Sequence, residues 1–201
     1  MRRLIEITFM SLNGVIDAPD LVQEAQRYFL SNEEHNDYQK TRLFAADALL
    51  LGRKTYEVCS KAYPSMAKSD GGVPMDFVDR MNSIPKYVAS MSLKEASWNA
   101  KVMRGEIAEE VRKIKELPCK DIIKCGTGSL DSILFGQHLI DLLCITVYPF
   151  VLSHGRHLFE EFEFTTHLRL SELKRFENGT VVLEYFPSKR PSPPFRSSNF
   201  G

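Results

Sequence analysis

The stretch ALLLGRKTYEV, residues 48–58, passes from four apolar residues to a glycine, two cations and a hydroxyl, and then to a helical pattern. Residues 49–51 predict a short buried strand, and residues 54–59 predict the opening of a helix. Gly52 is therefore placed where a buried strand gives way to a helix. Two interpretations fit this arrangement: an ordinary solvated turn, or a turn that binds a phosphate.

The alternation of strand and helix patterns continues on both sides of this stretch. The predicted strands are residues 3–10, 49–51, 86–90, 121–125 and 140–147, and the predicted helices begin near residues 22, 31, 54, 75, 107 and 130. Residues 11–20 contain Gly14 and Asp17 and are predicted to form a loop. Ser31, with Glu34 three residues later, is predicted to cap the second helix.

The C-terminal part predicts an antiparallel hairpin. Two β-type runs flank Asn178 and Gly179, and Asn-Gly between such runs is a strong hairpin signal. Strands that alternate with helices pair in parallel, because a helix is the usual connection between parallel neighbours. The predicted fold class is therefore α/β: a mostly parallel central sheet flanked by helices, with a C-terminal antiparallel hairpin.

Composition and charge exclude several classes of function. The chain has 201 residues, 43% of them apolar, and its 26 Lys and Arg residues balance 26 Asp and Glu residues. No excess positive charge attracts nucleic acid, and no apolar run approaches the roughly 20 residues of a membrane-spanning helix. Four cysteines without C-x-x-C spacing, and no signal peptide before the first strand, indicate reduced thiols in a cytoplasmic protein. One domain is predicted over residues 1–188, followed by a flexible tail at 189–201.

Two glycine turns are predicted at the carboxyl edge of the sheet, where open α/β sheets bind ligands. They are Gly52-Arg53-Lys54-Thr55 and Gly126-Thr127-Gly128-Ser129. A helix N-terminus favours an anion, glycine lets the backbone approach it, and Arg53 and Lys54 add charge and donors. Glycines also occur at such turns for backbone reasons alone. One cationic and one neutral turn on the same edge fit a dinucleotide with an extra phosphate, which favours NADPH over NADH.

Neither turn matches another familiar phosphate or nucleophile motif. The upstream glycine of a Walker A loop is missing before Gly52, and GTGSL lacks both the G-x-S-x-G order and the full G-x-G-x-x-G spacing. His154 and His157 precede Glu160 and Glu161 without the H-E-x-x-H spacing of a zinc site. No metal site is predicted there, and these residues are expected to form a loop beside the pocket.

Five stretches, taken in order, resemble the dihydrofolate reductase-like family that includes the C-terminal reductase domain of the riboflavin-biosynthesis deaminase/reductase. They are SLNGVID, ADALLLGRKTYE, IPKYVAS, GTGSL and HGRHLF, and the resemblance covers about residues 3–187. LLLGRKTYE is the most specific of them. The resemblance implies the fold of that family, NADPH as cofactor, a small heterocyclic substrate of the aminopyrimidine or pteridine kind, and a homodimer.

The resemblance also implies roles for individual residues. Gly52, Arg53, Lys54 and Thr55 are implied to hold the 2′-phosphate side of the adenosine, and Ala89, Ser90 and Met91 to line the adenosine. Gly126, Thr127, Gly128, Ser129 and Leu130 are implied to face the pyrophosphate. The loop at residues 11–17 is implied to border the nicotinamide and the substrate. On this interpretation Arg53 and Lys54 recognise a phosphate.

The sequence departs from the riboflavin-pathway reductases in three places. Asn13 replaces the aspartate of S-L-D-G, Leu142 ends a stretch that commonly reads V-D-E, and Ser153 replaces the first glycine of G-x-G-[KR]-x-L-F. Hydride transfer usually also needs a proton donor, and an asparagine side chain does not titrate. Asp17 is the nearest replacement, although aspartate before Ala-Pro also suits a plain turn. Asp17 and Asn13 are therefore the candidate catalytic residues.

Three functions remain open from the sequence. The leading hypothesis is an NADPH-dependent reductase, and the second, motivated by Asn13 and Leu142, is a non-catalytic NADPH-binding protein of the same fold. The third is an oligomerisation domain without a ligand. NADPH should raise the melting temperature under the first two hypotheses only, because a ligand that binds the native state stabilises it. Cofactor oxidation separates the first hypothesis from the second.

Overall fold

An eight-stranded mixed sheet forms the centre of the protein. The computed structural model describes residues 1–66 and 73–188, so the predicted tail at 189–201 lies outside the described residues. The strands are β1 Leu4–Ser11, β2 Val15–Asp17, β3 Ala46–Gly52, β4 Lys86–Ala89, β5 Ala100–Met103, β6 Asp121–Cys125, β7 Leu142–Tyr148, β8 Arg156–His157, β9 His167–Arg175 and β10 Val181–Ser188. The helices are α1 Leu21–Leu30, α2 Glu33–Ala45, α3 Arg53–Ser65, α4 Met75–Ser83, α5 Ile107–Glu116 and α6 Ser129–Gly136.

The strand order of the sheet is β5-β4-β3-β6-β1-β7-β10-β9. The first six strands in this order are parallel, and β10 runs antiparallel to both β7 and β9. The α/β class, the mostly parallel sheet and the C-terminal hairpin are thus confirmed. A separate two-stranded antiparallel ribbon pairs β2 with β8 beyond the carboxyl end of β1.

Helices cover both faces of the sheet, which explains why β3 reads as an unbroken apolar run. Leu50 faces the core shared with α5 and α6, whereas Leu49 and Leu51 face the core shared with α2, α3 and α4. All three leucines are fully buried. A parallel strand between two helical layers needs apolar side chains on both faces. The stretch ALLLG, residues 48–52, therefore belongs to a central strand, and its glycine lies at the carboxyl edge.

The structure corrects two local predictions. The predicted loop 11–20 contains the short strand β2, which forms only because β8 arrives from far along the chain. The N-cap of α2 is Asn32, whose Oδ1 accepts the backbone N–H of His35 at 2.7 Å, and not Ser31. Ser31 instead follows the end of α1 and donates its hydroxyl to the carbonyl of Tyr28. Serine and asparagine are equally good caps, so the sequence pattern could not separate the two positions.

Candidate functional site

The two glycine turns lie side by side at the carboxyl edge of the sheet. β3 and β6 are paired neighbours that end at Gly52 and Cys125. Gly126 has a φ of 75°, and a Cβ at this position would overlap Oγ1 of Thr55 from the first turn. A Cβ at Gly52 or Gly128 would meet nothing within 4 Å. Glycine is therefore required at 126 for the turns to meet, and the other two glycines leave open space beside a helix N-terminus.

The first turn is cationic and accessible. Gly52 is the N-cap of α3, and the first turn of this helix carries no acidic side chain. Arg53 is exposed, and its Nη1 lies 3.2 Å from Oε1 of Glu57. An exposed pair at this i,i+4 spacing contributes only about 0.3–0.5 kcal/mol, so a phosphate can displace Glu57 from Arg53. Lys54 is exposed and forms no ion pair with any residue in the described ranges.

The end of β4 borders the first turn. Ala89 is paired with Gly52 across the two strands. Ser90 is buried, and its Oγ accepts the backbone N–H of Leu93 at 3.0 Å, whereas Met91 is highly exposed. The residues assigned to the adenosine by resemblance therefore lie next to the cationic turn, with Met91 free to cover a ligand.

A cluster of buried charges lies beneath the second turn. Nζ of Lys124 is 3.0 Å from Oε1 of Glu6, and it also contacts Oδ1 of Asp131 and the carbonyl oxygen of Gly126. Each of the three charged side chains is at most 3% exposed. Oδ2 of Asp131 accepts the N–H of Gly128 at 2.5 Å, so the cluster reaches the turn backbone twice. Burial raises the pKa of Glu6 well above its ordinary value, and Oε2 of Glu6 has no partner in the described part of the chain.

Asn13 joins the loop at residues 11–17 to the segment that follows β7. Its Nδ2 donates to the carbonyl of Leu152 at 2.8 Å, and its Oδ1 accepts the N–H of Leu152 at 3.2 Å and the hydroxyl of Ser11 at 2.8 Å. Both ends of the amide are thus engaged. The position of Asn13 in the structure is that of a residue that holds the loop in place.

Arg156 connects the ribbon to the second glycine turn. Its Nη2 donates to the carbonyl of Thr127 at 2.8 Å, and its Nε lies 3.7 Å from Oδ2 of Asp17, whose side chain is 62% exposed. Gly155 lets the two strands of the ribbon meet, because it has a φ of 133° and a Cβ there would overlap the side chain of Val15. Asp17 therefore lies at the surface, beside a cation that also contacts the second glycine turn.

An aromatic surface lies next to this loop. Phe9 is on the central strand β1 but is 39% exposed, so the helical layer does not cover this side chain. The ring of Phe9 is 6.0 Å from that of Tyr148 in an edge-on arrangement, and Tyr148 stacks on Phe150. Tyr28 of α1 flanks both Tyr148 and Phe150. Phe9 therefore presents an exposed aromatic side chain, backed by the buried ring of Tyr148, near this loop.

A cavity of about 340 Å³ lies elsewhere, at the amino ends of β4 and β5, and is lined by Lys86 and Trp98 among others. Burial lowers the pKa of Lys86 to about 8, and its Nζ lies 4.0 Å from the centre of the Trp98 ring and 2.7 Å from the carbonyl of Ile84. Because the Lys86 ammonium is already held by the protein, this cavity is a less suitable ligand site than the carboxyl edge.

Two kinds of feature are absent from the described ranges. Within residues 1–66 and 73–188, no helix is long and apolar enough to span a bilayer. The same ranges contain no cluster of three or more His, Cys, Asp or Glu side chains that could hold a metal ion. His154 lies 3.0 Å from the hydroxyl of Ser153, and the backbone N–H of His157 donates to Glu160.

The sequence profile of the RibD C-terminal domain matches residues 2–182, which is nearly the whole chain. The chain belongs to the RibD C-terminal domain family. YyaP, an uncharacterized protein of Bacillus subtilis strain 168, is 29% identical to it over 139 residues, which cover 69% of this chain and 73% of that protein.

Solved structures share the fold of this RibD C-terminal domain. A putative riboflavin biosynthesis protein from Shewanella sp. PV-4 has a TM-score of 0.71 and 18% identity, over 93% of this chain and 99% of that one. Dihydrofolate reductase from Enterococcus faecalis, complexed with NADP(H), has a TM-score of 0.54 and 16% identity, over 92% of this chain and 96% of that one. The resemblance to the dihydrofolate reductase-like family is therefore confirmed, and at these identities the likeness concerns the fold.

Sequence reasoning missed several polar residues of the site in this RibD C-terminal domain. They are Glu6, Lys124, Asp131 and Arg156. Glu6 and Lys124 did leave a signal, since each is a charged residue inside an otherwise apolar strand of a sheet that is covered on both faces. Asp131 and Arg156 left none, because their partners are distant in sequence or belong to the backbone of a turn.

His35 gives this RibD C-terminal domain an expected dependence of stability on pH. It is fully buried among the rings of Phe29, Tyr148 and Phe176, and its Nδ1 has no partner in the described part of the chain. Burial lowers the pKa of His35 to about 4. The unfolded chain binds a proton at a higher pH than the folded chain, so stability is complete above about pH 6.5 and is lost as the pH falls toward 4.

The expected loss between pH 7 and pH 5 is at most about 2 kcal/mol, since one pKa unit corresponds to about 1.4 kcal/mol. Urea unfolding of wild type and His35→Phe at pH 7 and pH 5 measures it, and the variant should lose less stability on acidification. His154→Gln, a change at an exposed histidine, is the control and should keep the wild-type difference. Equal pH dependence in His35→Phe and wild type would contradict the prediction.

Proposed function

We propose that this protein is a cytoplasmic NADPH-dependent reductase that transfers a hydride to a small heterocyclic substrate of the aminopyrimidine or pteridine kind. The catalytic unit is the single domain at residues 1–188, acting as a homodimer. The observation that carries the proposal is the contact between Thr55 and Gly126, which brings the cationic and the neutral glycine turn together at the carboxyl edge. Membership of the RibD C-terminal domain family and the NADP(H) complex of a structural neighbour support it.

The residues present fit such a cofactor. The open space beside Gly52 and Gly128 lets two phosphate groups approach the backbone at the starts of α3 and α6. Arg53 and Lys54 supply the cations that a 2′-phosphate requires, and Ser90 and Met91 border the adenosine side. Ser129 and Leu130 offer first-turn N–H groups to the pyrophosphate. When bound, NADPH supplies the hydride; the chain's own residues hold and orient the two ligands.

The substrate half of the site combines an exposed aromatic side chain with one accessible carboxyl group. Phe9, packed edge-on against the buried Tyr148, offers a surface on which a flat ring can stack. Asp17 is the candidate proton donor because it is exposed at the end of the loop at residues 11–17, with Arg156 next to it. Asn13 would act indirectly, by keeping that loop against Leu152.

A second candidate function is a non-catalytic NADPH-binding protein. It is favoured by one observation: the Asn13 amide, in the place where related reductases carry a carboxylate, is engaged at both ends by the protein. This candidate requires the same cofactor site as the reductase but no oxidation of NADPH by any aminopyrimidine, pteridine or carbonyl compound. Turnover that disappears in Asp17→Asn would favour the reductase.

Binding of NADPH and NADH to wild type and Arg53→Ala tests the proposed function. We expect NADPH to raise the melting temperature of wild type more than NADH does. Arg53→Ala loses one charge-assisted contact to the 2′-phosphate. It should therefore weaken NADPH binding about tenfold or more and leave the affinity for NADH unchanged. Differential scanning fluorimetry measures the shift in melting temperature, and calorimetric titration measures the affinity for each cofactor.

Arg112→Ala is a matched control for this experiment. Arg112 is also an exposed helical arginine, paired with Glu109, but it lies on α5 on the other face of the sheet. This variant should bind both cofactors as wild type does. Absence of any shift with millimolar NADPH would reject both the reductase and the non-catalytic binding protein.

A further inference from the structure

The cluster of Glu6, Lys124 and Asp131 is a costly way to fill a protein core. Three charged side chains from β1, β6 and α6 lie in a region that is otherwise apolar, and each is almost completely buried. Removing charges from water carries a penalty that their mutual attraction often fails to exceed, and well-packed apolar residues commonly do as well. Stability of the core is therefore a weak explanation for the cluster.

The contacts of the cluster point instead to the second glycine turn. Lys124 donates to the carbonyl oxygen of Gly126, the first residue of the turn. Asp131 accepts the N–H of Gly128, the N-cap of α6, with one oxygen and contacts Lys124 with the other. Both ends of the turn are thus tied to a single pair of buried charges. Glu6 contacts Lys124 but no atom of the turn.

The hydrogen bond to Asp131 also decides which backbone donors remain for a ligand. The N–H of Gly128 already donates to Asp131. The N–H groups of Ser129 and Leu130, in the first turn of α6, have no intrahelical acceptor and therefore remain for a ligand. Lys124 neutralises Asp131, so the carboxylate can shape the turn without repelling a bound anion. The cluster acts on the ligand only through the backbone.

We propose that Lys124 and Asp131 are positioning residues, which hold residues 126–128 in the conformation that binds the pyrophosphate of NADPH. This inference rests on the proposed function. It assigns Glu6 the lesser task of holding Lys124. A purely electrostatic role would have the opposite consequence for Asp131, because removing its negative charge would favour an anionic ligand.

The variants Asp131→Asn and Glu6→Gln distinguish these roles, since each replaces one of the two carboxyl groups that contact Lys124 with an amide. Asparagine has a single acceptor oxygen and cannot serve Lys124 and the N–H of Gly128 from two different atoms, as Asp131 does. Glutamine at position 6 keeps an acceptor for Lys124 and leaves the turn untouched. The affinities of wild type and both variants are measured for NADPH and for adenosine 2′-monophosphate, which reaches the first turn but has no pyrophosphate.

We expect Asp131→Asn to weaken NADPH binding about tenfold or more and to leave the affinity for adenosine 2′-monophosphate unchanged. Glu6→Gln should change neither affinity by more than about threefold. General destabilisation would weaken both ligands together. An unchanged or tighter affinity of Asp131→Asn for NADPH, or an equal loss for the two ligands, overturns the positioning role while the proposed function stands. If wild type binds neither ligand, the proposed function and this inference both fail.

Discussion

Replacing Lys124 by methionine is expected to lower the free energy of unfolding by about 3–5 kcal/mol, which is a large fraction of the stability of an ordinary domain. Methionine matches the length of the lysine side chain but removes the charge that faces Glu6 and Asp131. Two carboxyl groups would then remain buried without a cation, and the carbonyl of Gly126 would lose its donor. The penalty of leaving buried polar groups unpaired dominates this effect.

Lys115→Met provides a matched control. Lys115 is equally buried and its Nζ lies 2.5 Å from Oδ2 of Asp141, but Asp141 is 33% exposed and can be hydrated when the lysine is lost. Urea unfolding followed by circular dichroism should therefore show a smaller loss for Lys115→Met. Adding Glu6→Leu to Lys124→Met should restore a large share of the stability, because it removes the carboxyl group that lies deepest. Equal losses of stability in Lys124→Met and Lys115→Met, or no recovery of stability when Glu6→Leu is added, would show that the cluster is not a coupled unit.

Gly126→Ala is expected to lower the free energy of unfolding by about 3 kcal/mol and to remove measurable NADPH binding. Two causes add. A left-handed φ of 75° disfavours any residue with a Cβ, and the new methyl group would overlap the Thr55 side chain. The turns must separate to admit this methyl group, which also separates the two proposed phosphate sites.

Gly105→Ala isolates the first cause, since Gly105 has a φ of 101° but open space around its Cβ position. Gly105→Ala should lower the free energy of unfolding by only about 1–2 kcal/mol, the usual penalty of the left-handed conformation. In the double variant Gly126→Ala, Thr55→Ala the overlap is relieved, and the loss should fall to that of Gly105→Ala. Thermal unfolding with and without NADPH measures all four proteins. A full loss that persists in the double variant would place the cause in backbone strain alone.

The central part of the fold could be predicted from the sequence because its signals are local. The leucines of β3 and the apolar spacing of α5 depend on neighbours within a few residues, and the prediction of β6 at residues 121–125 matches the structure. The edge strand β5 was missed, since four residues, AKVM, carry no distinguishable pattern. The ribbon was missed for a different reason: Val15 and Asp17 pair with residues about 140 positions away.

The candidate site was predictable to the extent that backbone requirements reveal it. Gly52 and Gly126 follow strands, and their positions at the sheet edge are consequences of parallel pairing. The contact of Thr55 with Gly126 depends on β3 and β6 becoming neighbours. The contacts of Lys124 and Gly128 with Asp131 instead join residues at most seven positions apart. Strand order is set by tertiary packing, so no local pattern contains it.

The ribbon of β2 and β8 makes the loop at residues 11–17 and the second glycine turn parts of one mechanical unit. Asn13 fastens one end of the loop to Leu152, and Arg156 fastens the other end to Thr127. A ligand that restrains the turn must also restrain the loop, and thermodynamic reciprocity requires each ligand to change the affinity of the other by the same factor. Cofactor and substrate are thus expected to bind interdependently, through two side chains that touch neither reacting centre.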